Sequence, residues 1–191
     1  MTYDERIQLI MVGESGVGKT SLIRRYTNNI FNTNHLETIG IEFFNKEERI
    51  NDQIIQIKLW DTAGQERFKS VSVKNLRYSQ AAVVVFDLTV KESFNKVTDW
   101  LKEIRDYSPK MPVGLFGNKS DLVEERQVKQ EDIDDLCKRE DLEYFETSAR
   151  NNTGIKEGFA KIASMAFKSL GTLPTKGQKL NNKKKKKKSK C

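Results

Sequence analysis

Histidine and cysteine are scarce in this chain of 191 residues, and with them the usual means of building a metal or redox centre. The one histidine, His35, falls in a polar stretch and is given no role. Cys137 lies in a helix-period segment and Cys191 is the last residue, a separation with neither metal-ligand nor redox spacing. Cys137 reads as a small, half-buried side chain. No apolar run approaches the roughly 20 residues a membrane-crossing helix needs. The opening MTYDERIQ lacks the basic start and apolar stretch of a secretion signal, so the chain is expected in the cytosol. There is no internal repeat. Acids are absent from residues 176–191, which hold nine lysines, so the formal charge of +7 belongs to the tail and the first 175 residues are mildly acidic. That argues against nucleic-acid binding, which needs basic charge spread over a folded face and aromatics where single strands are stacked.

What is present is an alternation of short apolar runs with helix-period segments, the pattern of a mostly parallel sheet covered by helices on both faces. Strands are expected at 7–12, 39–49, 54–60, 82–87, 113–117 and 143–146, and helices at 19–27, 65–78, 92–107, 130–139 and 154–170. The second and third strands are joined by RINDQ, too short for a crossover helix, so that pair is expected to be antiparallel. The fold class is therefore α/β, six strands and five helices in one domain over residues 1–170. Residues 171–191, rich in Pro, Gly and Lys, cannot bury enough surface to fold and are expected to be a disordered tail.

The first strand runs into Gly13-Glu14-Ser15-Gly16-Val17-Gly18-Lys19-Thr20-Ser21, the Gly-x-x-x-x-Gly-Lys-Ser/Thr pattern of a phosphate-binding loop. Small residues let consecutive backbone N–H groups converge on the α- and β-phosphates, and the following helix presents its positive N-terminal end. Lys19 adds a charge toward the β- and γ-phosphates, and the Thr20 hydroxyl can ligate Mg²⁺. A random chain of this length matches the pattern less than about 1% of the time at average composition, and the strand before and helix after make chance negligible.

The base is read elsewhere. GNKSDL at 117–122 follows the fifth strand, at the sheet edge where open α/β folds bind ligands. Asp121 can accept from the N1–H and exocyclic amine of guanine, a pair that adenine does not offer. Asn118 can tie this loop to the phosphate loop, and the Lys119 stem can lie over the base. In ETSAR at 146–150, Ser148, Ala149 and Arg150 complete the base site, with the Ala149 N–H aimed at the guanine O6. Phe31 is a candidate edge-on contact to the ring.

DTAGQE at 61–66 closes the third strand. Asp61 is placed to hold the Mg²⁺ hydration shell, the Gly64 N–H to meet the γ-phosphate, and Gln65 to orient the attacking water. Thr38, in the loop before the second strand, can complete the metal shell only while the γ-phosphate is present. Hydrolysis would remove that tether and relax both loops. Gln65, Lys19 and Thr38 are the expected catalytic set.

Together these motifs resemble the Ras superfamily of small GTPases over residues 5–170, with the P-loop GTPase fold that this implies. The Rab branch is the most similar: IGIEF at 39–43 looks like its switch I, WDTAGQERF at 60–68 like its interswitch and switch II, and VVVFDLT at 83–89 like the strand that follows. A Rho insert and an Arf-like N-terminal helix are missing. Only 18 residues separate Lys19 from Thr38, leaving no room for a Gα-type helical domain and its cis arginine. The resemblance implies a monomeric GTP hydrolase that uses Mg²⁺ and turns over slowly, on the order of 10⁻³ s⁻¹ or less, until a GAP acts. It also implies an exchange factor, effectors, a prenyl-binding escort and a place in vesicle trafficking. A GTP-dependent scaffold without hydrolysis and a Ran-like nuclear factor are the alternatives.

Effectors of the resembling family read Ile39, Ile41, Phe43, Trp60 and Phe68 together with a tyrosine after switch II. Here NLRYS at 75–79 puts Asn75 in that third aromatic place, and Glu37 stands where Rab proteins commonly have Ser. The tail departs too, since KKKKKKSKC ends in one cysteine where two, or a C-a-a-X box, are usual. A prenyl group on Cys191 beside a polybasic run makes the two-signal combination that stable membrane attachment requires. The lysines add roughly 1 kcal/mol each near an anionic leaflet. The expected location is the cytosolic face of an intracellular or plasma membrane, held reversibly.

Overall fold

The computed structural model describes residues 3–33, 38, 41–62 and 76–170. Six strands form one sheet: β1 Glu5–Val12, β2 Ile41–Ile50, β3 Gln53–Thr62, β4 Ala81–Asp87, β5 Val113–Asn118 and β6 Glu143–Glu146. Their spatial order is β2-β3-β1-β4-β5-β6, and every pairing is parallel except β2 with β3. The helices are α1 Lys19–Asn28, α2 Lys91–Asn95, α3 Val97–Tyr107, α4 Gln130–Glu140 and α5 Ile155–Leu170, with a 3₁₀ turn at Val123–Glu125.

Burial follows from strand position. All seven residues of β4 are buried, as a central strand covered by helices on both faces requires. β2, at the sheet edge, mixes exposed and half-buried side chains until Ile50, its last residue, which is buried. The β2–β3 hairpin turns on Asn51 and Asp52, at φ of +50° and +64°, the doubly left-handed turn whose twist matches that of the flanking strands and which Asn and Asp tolerate. It sets a ten-pair register from Ile41 opposite Thr62 to Ile50 opposite Gln53.

Two cores flank the sheet. On one face Leu22, Ile23 and Tyr26 of α1 and Phe159, Ile162 and Ala166 of α5 pack on Leu9, Met11, Ile57 and Val85. On the other, Trp100, Leu101 and Ile104 of α3 and Ile133 and Leu136 of α4 pack on Ile10, Val84 and Phe86. Both sets recur at the three-to-four-residue spacing of an amphipathic helix.

The helix expected at 92–107 is divided at Lys96. Its carbonyl accepts from both Asp99 and Trp100, a local tightening toward 3₁₀ geometry that separates α2 from α3. Most of the helix expected at 65–78 lies outside the described residues, so the five described α-helices are not the five the sequence suggested. The 3₁₀ turn was not anticipated, and β3 extends two residues beyond its expected end, carrying Asp61 and Thr62 into the sheet.

Candidate functional site

The carboxyl ends of β1, β3, β4, β5 and β6 lie along one edge of the sheet, where a cavity of about 490 Å³ opens. The phosphate loop leaves β1 and enters α1 through Gly18, at φ +97°, where a Cβ would stand 2.3 Å from Asn118 Nδ2. Gly16, at φ +75°, has no atom within 4 Å of where a Cβ would be; a side chain there would project into open space at the cavity. At Gly13, too, a Cβ would stand 2.2 Å from the Val85 carbonyl oxygen, so the loop needs glycine for packing at Gly13 and Gly18 and for conformation alone at Gly16.

Lys19 is 5% exposed and donates from Nζ to the Gly13 and Glu14 carbonyls, both at 2.8 Å. An ammonium has three donors, so one remains for a phosphate. Burial pulls its pKa down to about 8, against the pull of Asp61 and Glu14 in the other direction. Ser15, Gly16, Gly18, Thr20 and Ser21 line the cavity with it, whereas Gly13 and Val17 stand behind the wall and act through their carbonyls.

The hydroxyls of Thr20 and Thr38 meet at 2.7 Å, and Thr20 donates to Asp61 Oδ2 at 2.6 Å. Asp61 is fully buried, and its Oδ1 has no hydrogen-bond partner among the described residues. Burial, the largest influence, raises its pKa despite the Thr20 hydrogen bond and the nearby Lys19. Two hydroxyl oxygens at this spacing, next to a buried carboxylate with an unpaired oxygen, fit a hard divalent cation that completes its shell with waters and phosphate oxygens. Among the described residues no three His, Cys, Asp or Glu side chains cluster as metal ligands, so such an ion would depend on the nucleotide for its remaining oxygens.

On the base side, Asn118 donates from Nδ2 to the Val17 carbonyl at 2.8 Å, linking the β5 loop to the phosphate loop. Lys119, at φ +68°, lines the cavity and pairs with buried Asp87, which also accepts from the Thr89 amide and hydroxyl. Asp121 accepts from the Ser148 hydroxyl at 2.6 Å, and Ser148 in turn accepts from the Asn151 amide. Ala149 and Arg150 line the cavity; Ser148 supports it from behind.

A model of the Ras family matches residues 8–168. Ras-related protein Rab-30 of Homo sapiens is 38% identical over 162 residues, which is 84% of this chain and 80% of that protein. Ras-related protein Rab11D of Lotus japonicus is 36% identical over 193 aligned positions, 94% of this chain and 88% of that one. Ras-related protein YPT3 of Nicotiana plumbaginifolia is 38% identical over 167, at 87% and 77%. The chain belongs to the Rab family of small GTPases, within the Ras superfamily.

Sequence reasoning about this GTPase missed Arg25. It donates to the Ala149 carbonyl at 2.8 Å, the Arg150 carbonyl at 3.2 Å and both oxygens of Asn29, and its guanidinium lies 5.7 Å from the centre of the Phe31 ring. One arginine thereby joins the end of α1, the ring at the cavity wall and the loop after β6. Its role at the base side was not legible locally, because the partners that give it that role lie 124 and 125 residues away. Glu14 is a second omission: it accepts from the Trp100 indole at 3.1 Å, anchoring the phosphate loop to α3. Thr33, Thr62 and Leu122 also line the cavity.

Of the expected effector residues, Ile41 is half-buried at the start of β2, and Phe43 is 54% exposed with its ring edge-on to Trp60 at 5.7 Å. The Trp60 indole donates to Gln8. Ile39, Gly64, Gln65, Phe68, Asn75 and Cys191, with Glu37 and His35, lie outside the described residues. No helix among the described residues is long and apolar enough to cross a membrane.

Proposed function

We propose that this GTPase binds GTP with Mg²⁺, hydrolyses it slowly to GDP, and uses the difference as a switch in intracellular membrane trafficking. The observation that carries the reading is the meeting of Thr38 and Asp61 at the Thr20 hydroxyl. A threonine from before β2 reaches the Thr20 hydroxyl at the start of α1, and Thr20 in turn donates to Asp61 near the end of β3. Mg²⁺ held by Thr20 and Thr38, and through water by Asp61, would neutralise developing charge on the phosphate oxygens. Lys19 would place its positive charge beside them, with two of its donors already engaged. Gly64 and Gln65 take the roles that the family resemblance gives them, sensing the γ-phosphate and orienting water. Guanine is selected by Asp121, kept in place by Ser148, with the Ala149 amide toward its O6.

The domain of residues 1–170 is then the switch and residues 171–191 its membrane attachment, through the lysine run and a prenylated Cys191. Exchange factor, GAP, effectors and a prenyl-binding escort follow from the same reading, as does residence on the cytosolic face of a membrane. Single-turnover hydrolysis of Mg-GTP by the full chain tests it. A slow rate that Gln65→Leu abolishes while GTP stays bound supports the switch, and normal hydrolysis by that variant rejects the water-positioning role. The intact mass of the C-terminal peptide from the native cell tests the tail: an unmodified Cys191 counts against the membrane assignment.

A further inference from the structure

The outer face of the β2–β3 hairpin carries a cation where an effector surface would need apolar area. Lys58 sits directly opposite Asn45, one residue pair along the face from Phe43 and Trp60. Its ammonium lies 4.1 Å from the centre of the Phe43 ring and 4.1 Å from that of Trp60. Both distances fall within the range where a ring quadrupole attracts a cation. Among the described residues no carboxylate lies within 4.0 Å of Lys58. The neighbouring polar groups are already engaged: Arg6 with Gln56 and Tyr3, Trp60 with Gln8, and Arg49 with Asp52. Glu47, the acid on this face, stands opposite Gln56 and not opposite Lys58.

We propose that Lys58 sets the specificity of this surface, making it a docking site for a protein segment that places a carboxylate beside an apolar anchor. The inference rests on the reading of Phe43 and Trp60 as effector-contacting residues. Phe43, more than half exposed, is the natural seat for an apolar side chain. Any group that covers it also strips water from Lys58, and an ammonium desolvated without an anion is strongly penalised. A partner carboxylate on Lys58 removes that penalty, and a partner lysine or arginine adds repulsion. The ring pair and the charge therefore select together, the rings for area and the lysine for sign.

The full chain, loaded with a non-hydrolysable GTP analogue, is panned against a displayed random-peptide library with the GDP form as counter-selection. Peptides bound through this face should carry Asp or Glu within a few residues of an aromatic or aliphatic anchor. They should lose about tenfold in affinity on Lys58→Gln, lose more on Lys58→Glu, and keep most of it on Lys58→Arg. Panning on the Lys58→Glu chain should reverse the preference to Lys and Arg. Thermal unfolding and nucleotide affinity of the Lys58 variants should match the parent, since Lys58 does not line the cavity. Peptides that need Phe43 but show no acid preference overturn the proposal and leave the docking surface standing. Peptides indifferent to Phe43→Ala overturn the surface itself. Binding to phosphatidylserine vesicles or self-association that the Lys58 variants abolish, without acid preference in the peptides, overturns it in favour of a lipid or a second copy.

Discussion

The nucleotide cavity and the outer face of the hairpin both draw on the carboxyl half of β3, Asp61 and Thr62 for the one and Lys58 and Trp60 for the other, and are built on opposite terms. At the cavity, polar groups are buried or half-buried and matched with one another: Lys19 with two carbonyls, Asn118 with Val17, Asp121 with Ser148, Asp87 with Lys119. The chief exception among the described residues is Asp61 Oδ1, beside the two threonine hydroxyls. On the outer face the polarity is inverted: the Phe43 ring is exposed, Trp60 is half-buried, and a lysine lies over both with no acid paired to it among the described residues. A buried polar group without a partner is costly, so a preformed polar cavity must be self-satisfied except where the ligand completes it. A docking face has no such constraint and can leave its charge for the partner to meet.

The comparison would be broken most severely by Lys19→Ala. Removing one member of a buried charge contact costs several kcal/mol, so GTP affinity should fall on the order of 10²- to 10³-fold in a fluorescent-nucleotide titration. Asn118→Ala removes the donor to Val17 and the packing under Gly18. A loss of about ten- to a hundredfold is expected, with a faster off-rate, because a buried carbonyl is left unpaired.

Proton uptake sharpens the contrast. In the stripped, metal-free protein Lys19 titrates near 8, because burial favours the neutral amine. Beside phosphates its charged form is favoured, so the bound state holds a proton that the free state loses as pH rises through about 8. GTP affinity should therefore fall about fivefold between pH 8 and pH 9. Calorimetry in buffers of different ionisation enthalpy should show net uptake of protons, and Lys19→Met should remove it. Arg25→Ala should speed nucleotide release about threefold by freeing the loop after β6, with hydrogen bonds to partly exposed carbonyls contributing little each. Phe43→Ala should leave nucleotide affinity within about twofold of the parent. A larger change would show that the two regions are not independent.

Much of the site was legible because it is carried by local runs. Gly13 to Ser21, Asn118 to Asp121 and Ser148 to Arg150 each pair a strand end with a loop whose chemistry depends on neighbours in sequence. The apolar alternation placed the six strands to within about two residues, and Asn51-Asp52 is a turn signal in its own right. Arg25, Glu14 and Lys58 were not legible. Each gains its meaning from a contact on another segment, whether the loop after β6, the Trp100 indole or a ring across the hairpin. As isolated letters they read as ordinary solvated charges. The division of the helix at Lys96 was hidden for a different reason, since a shared carbonyl leaves the hydrophobic period intact.

By itself, then, the sequence determined that a phosphate loop, an Asn-Lys-Ser-Asp loop after the fifth strand and a basic tail share one α/β chain, because residue type and short spacing suffice for each. The tertiary structure decided which side chains stand behind the wall and which line it, how Thr38 and Asp61 both reach the Thr20 hydroxyl, and which lysine caps the Phe43–Trp60 ring pair. Those outcomes depend on the order β2-β3-β1-β4-β5-β6, which brings segments as far apart as Arg25 and Arg150 within hydrogen-bond reach. Sheet order and register are properties of the whole chain packing at once, and no local stretch contains them.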